Sequence, residues 1–280
     1  MKIDLHLHTN FSDGEKSVEE LIHFITSKKI DIFSITDHDT IASLDLARIE
    51  ANKYNKIFIP GVEISTYYKG GEVHILDYFV DSRNGLLLSF LEERFSKRIK
   101  RMKETIHILK KMGFDINYDD VVKTSPGPYI GRPNIAKALV QKGYISKPAE
   151  AFTDELIGNN GKAYVPPDDC SPNDAIDIIL KTGGIPVLAH PGIYFSNSNW
   201  KLKEEDIKKF VDVGLKGLEV YHSKHTKEDF EYYREIARKY DLIITVGSDY
   251  HYSDNPVSTE MPIDDEVFSE VWKCIKPLVF

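Results

Sequence analysis

Residues 3–14 read IDLHLHTNFSDG, and the fold can be read outward from this stretch. Its opening run, 3–7, is short and rich in Ile and Leu, as a strand would be, and His6 and His8 stand at i and i+2. Side chains at that spacing point to one face of a strand, so both imidazoles can reach a single ion. A capping box follows: Ser17 and Glu20 precede Val18, Leu21, Ile22 and Ile25 at helical spacing. A second β-rich run, 30–36 (IDIFSIT), completes a strand–helix–strand unit. Five more such runs appear at 57–65, 73–80, 185–190, 217–222 and 242–248. Several are near-continuous Val/Ile/Leu, as expected of strands covered on both faces. Helical patterns separate most of them, at Ser171-Pro172 to Gly183-Gly184, at 226–240 and at 265–276. This alternation predicts an α/β architecture with a parallel sheet, open or closed into a barrel. The exception is 62–80, where Tyr68-Lys-Gly-Gly-Glu72 reads as a hairpin turn.

The stretch 84–165 breaks the alternation. Leu88, Leu91, Phe95, Ile99, Met102, Ile106 and Leu109 keep helical spacing up to Gly113. A turn-rich loop, Thr124 to Pro128, precedes Gly131-Arg132-Pro133, which leads a short helix over 134–141; another helix is expected over 148–157. Residues 100–164 therefore read as a small helical insertion domain, and 1–99 with 165–280 as the α/β domain.

The composition limits the function classes. The chain has 280 residues, 41% hydrophobic and 29% charged, with 17 Gly and 13 Pro, so a disordered, collagen-like or coiled-coil reading is out. Cys170 and Cys274 form no spaced motif, which excludes a disulfide framework or a cysteine zinc site and predicts a reducing compartment. No basic region followed by an apolar stretch opens the chain, and no run approaches ~18 apolar residues, so a cytoplasmic protein with no membrane association is expected. A net charge of −8 argues against coating a long nucleic-acid tract, though a small anionic substrate held by metals remains compatible. Oligomeric state is not legible.

Of the ten histidines, those at or beside strand ends carry the candidate chemistry. An HxH pair alone is weak, because chance supplies about 0.3 such pairs in a chain of this composition. The surroundings strengthen it. Asp13 follows in the loop, Thr36-Asp37-His38-Asp39 ends the second run, and Glu63 lies in the third. His74 follows the hairpin turn, which would bring it near Glu63. Ala189-His190-Pro191 ends the fifth run and Gly247-Ser248-Asp249-Tyr250-His251 the seventh. Strand carboxyl ends converge on one crevice in parallel α/β folds. Imidazoles and several carboxylates gathered there would be destabilising without cations, and divalent metals remove the conflict. Nitrogen and oxygen donors without thiolate suit manganese, iron or zinc better than calcium or magnesium alone. His23 and His107 read as ordinary surface or packed histidines, and His225 is left open.

The set DLHLHTNFSDG, TDHDT, AHP and GSDYH, with GVEIS and HIL between, resembles the PHP (polymerase and histidinol phosphatase) family over about 1–95 and 166–255. The resemblance implies a distorted (β/α)7 barrel with three divalent metal ions, manganese first, with iron or zinc as alternatives. By motif, His6, His8, Glu63 and Asp249 would hold the first ion. Glu63 would bridge to the second with His74 and His190, and Asp13, His38 and His251 would hold the third. Asp13 departs from members that carry histidine there, which bears on the third ion's identity. GRPNIAKALV and GLEVYHSKH resemble the stand-alone phosphoesterases of the family, which act on 5′-nucleotides, nucleoside 3′,5′-bisphosphates and, in some members, short RNA 5′ ends.

The expected activity is therefore hydrolysis of phosphate monoesters of small nucleotides, by in-line attack of metal hydroxide without a phosphoenzyme. Arg132, at a helix start, is the candidate phosphate clamp. His222, at a strand end, and Asp37, beside His38, are the candidate catalytic side chains. Arg94, Lys97, Arg98 and Arg101 form a basic stripe read as a solvated helix face rather than a nucleotide track. The alternatives are a histidinol-phosphate phosphatase, an amidohydrolase-like metal hydrolase, a polymerase-type editing nuclease and a non-catalytic metal-binding module. The second usually needs a bridging lysine on a middle strand, and none lies there. No polymerase region accompanies the chain, which weakens the third, and nothing in the sequence favours the last.

Overall fold

The structure is a computed structural model that describes residues 1–125, 127, 129–167, 170–193 and 201–279. Seven strands form one sheet in chain order: β1 (Ile3–Leu7), β2 (Ile32–Ile35), β3 (Ile57–Tyr68), β4 (Gly71–Tyr78), β5 (Ile185–Leu188), β6 (Gly217–His222) and β7 (Ile243–Gly247). Neighbours run parallel except that β4 is antiparallel to both β3 and β5. A parallel bridge between Leu7 and Tyr250 closes the sheet into a distorted barrel. There the His8 N–H donates to the Tyr250 carbonyl at 3.0 Å and the Asp249 N–H to the His6 carbonyl at 2.9 Å.

The reversal of β4 follows from the two-residue turn before it. Lys69 and Gly70 have φ of 49° and 88°, the paired positive values that a tight hairpin needs, and Gly70 takes one at no steric cost. In consequence the first half of β4, with His74, lies at the rim where the parallel strands end.

The helices among the described residues are α1 (Val18–Ser27), α2 (Leu44–Lys53), α3 (Gly85–Lys111), α4 (Tyr118–Val122), α5 (Arg132–Gln141), α6 (Pro172–Thr182), α7 (Glu204–Asp212), α8 (Lys227–Lys239) and α9 (Asp265–Val279). Side-chain oxygens start several of them. The Glu20 N–H donates to Ser17 Oγ at 3.2 Å while the Ser17 N–H donates to Glu20 Oε2 at 2.8 Å, a cap worth about 1 kcal/mol. The main core joins Ile3, Leu5, Ile64, Ile75, Leu188, Val220 and Ile244 to Ile176, Phe230 and Phe268 of the outer helices. Each fully buried Ile or Leu there contributes about 1.5–3 kcal/mol.

A separate core lies over 99–163. Met102, Ile106 and Leu109 of α3 pack with Ile130, Ile135, Leu139, Ile157 and Ala163. The same helix gives Leu87 and Leu91 to the barrel core, so α3 joins the barrel to this second cluster. The helix expected over 148–157 is not formed. A single 3₁₀ turn spans Pro148–Ala151, after which the chain coils on itself. The Ile157 N–H donates to Ala151 O at 2.9 Å and the Gly158 N–H to Thr153 O at 3.0 Å. Gly158 and Gly161 make the coil possible, since a Cβ on either would meet backbone oxygen at 2.7 Å or 2.3 Å. Pro126 and Pro128 of the expected loop at 124–128 lie outside the described residues.

Candidate metal centre

The barrel brings the nine candidate ligands to one rim. His6 and His8 come from β1, Asp13 from the loop after it, and His38 from the end of β2. Glu63 and His74 face inward from β3 and β4, where Ser65 pairs with His74 and Glu63 with Leu76. His190, Asp249 and His251 follow β5 and β7. Asp39, His190 and Asp249 take positive φ of 51°, 25° and 56°, a strained backbone of the kind found where side chains are held for a task.

Glu63 is the hub. Its Oε2 lies 3.2, 3.1 and 3.0 Å from His6 Nε2, His8 Nε2 and His38 Nδ1. Its Oε1 lies 2.8 Å from His74 Nδ1 and 3.1 Å from His190 Nε2. Asp249 Oδ1 stands 3.3 Å from His8 Nε2, and Asp13 Oδ1 stands 3.1 Å from His251 Nε2. Three donor groups result, each with its ligand atoms within 4.8 Å of one another: His6, His8, Glu63 and Asp249; His38, Glu63 and His74; and His8, Asp13, His38 and His251. His190 joins through Glu63.

Glu63 Oε1 is hydrogen-bonded to His74 Nδ1 and His190 Nε2, but other atoms of the centre meet without hydrogen-bonding. His6 Nε2, His8 Nε2, His38 Nδ1, Asp13 Oδ1 and Glu63 Oε2 are buried and have no hydrogen-bond partner. Buried polar atoms are costly in that condition, whereas lone pairs converging on shared space are what a cation needs. The residues present therefore fit divalent ions. Charge follows the same geometry. Burial opposes ionisation of Glu63, yet His38, His6 and His74 hold its carboxyl well below the usual range. Burial pushes His38 and His190 down to about 4, while Asp13 and Asp249 raise His251 to about 10 against burial.

Glu219 escaped the sequence reading. Its Oε1 accepts from His6 Nδ1 at 3.0 Å and its Oε2 accepts the His190 N–H at 2.7 Å. The first contact leaves His6 Nε2 as the free donor, the usual orientation of a metal-binding imidazole. A glutamate inside the otherwise apolar strand GLEVYH was the available signal. His225 is a latch: its Nδ1–H donates to Val220 O at 2.9 Å and its Nε2 accepts the Gly192 N–H at 3.0 Å, fixing the turn after His190.

His222 is buried beside the cluster, its Nε2 3.7 Å from Asp249 Oδ2. Its Nδ1 accepts the Lys224 N–H at 3.1 Å, so the neutral ring carries its proton on Nε2. Asp37 is a correction. Oδ1 accepts from the Thr9 N–H at 2.8 Å and Ser12 Oγ at 2.7 Å, and Oδ2 from Thr9 Oγ1 at 2.7 Å and Ser43 Oγ at 2.6 Å. All four lone pairs are used in fastening the loops after β1 and β2, which leaves none to accept a proton in catalysis.

The basic stripe is a second correction, because only Lys97 of its four residues is exposed. Arg94 and Arg98 are buried. Arg94 Nε donates to Asp39 Oδ1 at 2.7 Å, Arg98 pairs with Asp39 Oδ2, and Arg98 Nη1 donates to Tyr129 Oη at 2.6 Å. With Lys97, Arg101 and Arg132 they line a cavity of about 170 Å³ that also reaches Asp13, His38 and His74. Arg132 is held by the coil that follows Pro148–Ala151: Nη1 donates to Asn159 Oδ1 at 2.8 Å and to Ile157 O at 3.3 Å.

A barrel rim built of histidines and carboxylates beside an arginine-lined cavity defines a metal-dependent phosphoesterase type of site. The chain belongs to the PHP domain family, whose match covers residues 4–144. It is 33% identical to the 5′-3′ exoribonuclease of Haemophilus influenzae over 90% of each chain. It is 30% identical to the 3′,5′-nucleoside bisphosphate phosphatase of Chromobacterium violaceum, over 89% of this chain and 87% of that one. A solved structure from Bifidobacterium adolescentis, assigned as a metal-dependent phosphoesterase, superposes with a TM-score of 0.85 at 30% identity, covering 98% of this chain and 96% of that one. No helix among the described residues is long and apolar enough to cross a membrane.

Proposed function

We propose that the protein is a phosphoesterase that hydrolyses phosphate esters of small nucleotides, using divalent ions held at the barrel rim. The observation that carries this reading is the junction of three overlapping donor groups with a cavity lined by Arg94, Lys97, Arg98, Arg101 and Arg132. His6, His8, Glu63 and Asp249 would hold one ion. Glu63 with His74 and His190 would hold a second, His38 lying close enough to share, and Asp13, His38 and His251 a third, beside His8. Ions there supply Lewis acidity toward phosphoryl oxygens and lower the pKa of water, manganese being the first choice and iron or zinc the alternatives.

The chain's own groups do the rest. Glu219 orients His6, and the His225 latch sets the backbone that presents His190. His222 offers an Nε2–H next to Asp249, placed to donate a hydrogen bond to a phosphoryl or leaving-group oxygen at the rim. The arginines take the non-reacting anion. Arg132 provides a planar fork from the insertion, which acts as a cap on the rim. A substrate with two phosphoryl groups, one at the rim and one in the cavity, uses both halves of the site. Nucleoside 3′,5′-bisphosphates have this form. The 5′ end of a short RNA has it too, and the likeness to an exoribonuclease favours that second reading.

The test is phosphate or nucleotide release by purified protein with manganese, from 5′-nucleotides, 3′,5′-bisphosphates, 5′-phosphorylated oligoribonucleotides and histidinol phosphate. Turnover of the doubly phosphorylated nucleotides above the rest is expected. Preference for histidinol phosphate, or hydrolysis of amides alone, would overturn the reading.

A further inference from the structure

Two carboxylates meet the arginines of the cavity, and they are held differently. Asp39 is locked: buried, it takes Arg94 Nε at 2.7 Å, the Ser65 N–H at 3.1 Å, and Arg98. Glu72, two residues beyond the Lys69–Gly70 turn, is loose. Its oxygens stand 3.5 Å from Arg132 Nη2 and 3.7 Å from Arg101 Nη1, longer than a good hydrogen bond. Arg101 Nη1 is buried and has no hydrogen-bond partner. Arg132 is aimed through its other terminal nitrogen at Asn159 and Ile157. Guanidinium groups from α3 and α5 are thus arranged around a point that Glu72 approaches without filling. Its side chain keeps 32% exposure against 13% for Arg101 and 16% for Arg132, so it is the partner with room to leave.

We propose that Glu72 is a displaceable counter-ion of this cavity, which neutralises Arg101 and Arg132 until the non-reacting phosphoryl group of a substrate takes its place. This rests on the phosphoesterase reading and adds a specificity-determining residue to it. A guanidinium fork accepts carboxylate or phosphate with the same geometry, and a phosphoryl group brings more oxygens and more charge. An anion entering the cavity must overcome the existing pairs and swing Glu72 toward solvent. Giving up partly exposed ion pairs of this kind weakens anion binding about fivefold. Weakly charged groups are thereby refused while phosphoryl groups are admitted.

The experiment is calorimetric titration of sulfate into the full chain, with manganese and again after chelation, for wild type, Glu72→Gln, Glu72→Asp and Arg132→Ala. Glu72→Gln should tighten sulfate about fivefold under both conditions. Glu72→Asp, which draws the charge back by one methylene, should tighten it less, and Arg132→Ala should weaken it. In turnover, Glu72→Gln should change the ratio of kcat/KM between bisphosphate and monophosphate in favour of the bisphosphate. Unchanged or weaker sulfate binding in Glu72→Gln, or in Glu72→Asp should the first variant not fold, overturns the inference. Sulfate binding needs no turnover, so the two failures are separate: absent hydrolysis of every nucleotide would instead overturn the phosphoesterase reading.

Discussion

Glu63 meets five imidazoles through two oxygens, more than any hydrogen-bond scheme can satisfy at once. Its removal should therefore reach every part of the centre. Glu63→Gln is expected to lower kcat more than about a hundredfold and to reduce bound metal, because even outer partners of metal ligands cost 10–100-fold. Elemental analysis of the variant beside its kinetics checks both. Arg132 is a gentler case. Arg132→Ala should cost about one to two powers of ten in kcat/KM on bisphosphates, from the loss of a charge-assisted contact worth ~1.5–3 kcal/mol, and less on monophosphates. Arg132→Lys should not restore it fully, since an ammonium lacks the fork. Equal kinetics for both enzymes on both substrates would return Arg132 to holding Asn159 only. At this scale the sequence was most informative where residue type and strand end coincide, as at His6, His8, His38, His190 and Asp249. It misled at Asp37, because a carboxylate beside a candidate ligand looks the same in sequence whether its lone pairs are free or fully engaged. Glu219 was hidden because its task depends on barrel closure, which joins β1 to the end of β7 and so brings His6 within reach of β6.

Among the elements, β4 and α3 show where periodicity ends and packing begins. The hairpin was readable because Lys-Gly-Gly between β-rich runs has few other solutions. The burial of Arg94 and Arg98 was not, since only Asp39, 55 and 59 positions earlier, makes that face of α3 worth burying. The coil after Pro148 was likewise unreadable, as its hydrogen bonds depend on close approaches at Gly158 and Gly161 that apolar spacing does not encode. The outward face of β4 carries a test of its own. Asp77 is buried with no hydrogen-bond partner for either oxygen, against Gly184, where a Cβ would lie 1.9 Å from Oδ1. Burial pushes its carboxyl well above the ordinary 3.8. The folded state thus holds this proton more tightly than the unfolded chain does. The associated stability is complete below about pH 4 and is lost as pH rises toward the folded value. Asp77→Asn should therefore raise Tm at pH 8 and flatten the fall between pH 5 and 8, as followed by thermal melts in matched buffers. Parallel slopes for the two proteins would place the titration elsewhere.

Over the whole molecule, the barrel gathers side chains from six strands and their following loops onto one rim, and α3 carries the second core so that Arg132 faces it. The alternation of strands and helices made an α/β sheet legible, and its closure into a barrel came only with the family resemblance. The break after residue 84 marked where the separate cluster of α3 to Ala163 begins. What the sequence leaves open is how the two meet, because Glu72, Arg101 and Arg132 come from different elements whose approach is set by α3. The central claim is that this rim is a multi-ion centre built on Glu63. Its most direct test is elemental analysis of the full chain, saturated with manganese and freed of excess, measured alongside phosphate release. Three ions per chain, with hydrolysis lost on chelation and regained with manganese, is the result predicted here. One tightly bound ion per chain, or hydrolysis that survives chelation, would contradict it.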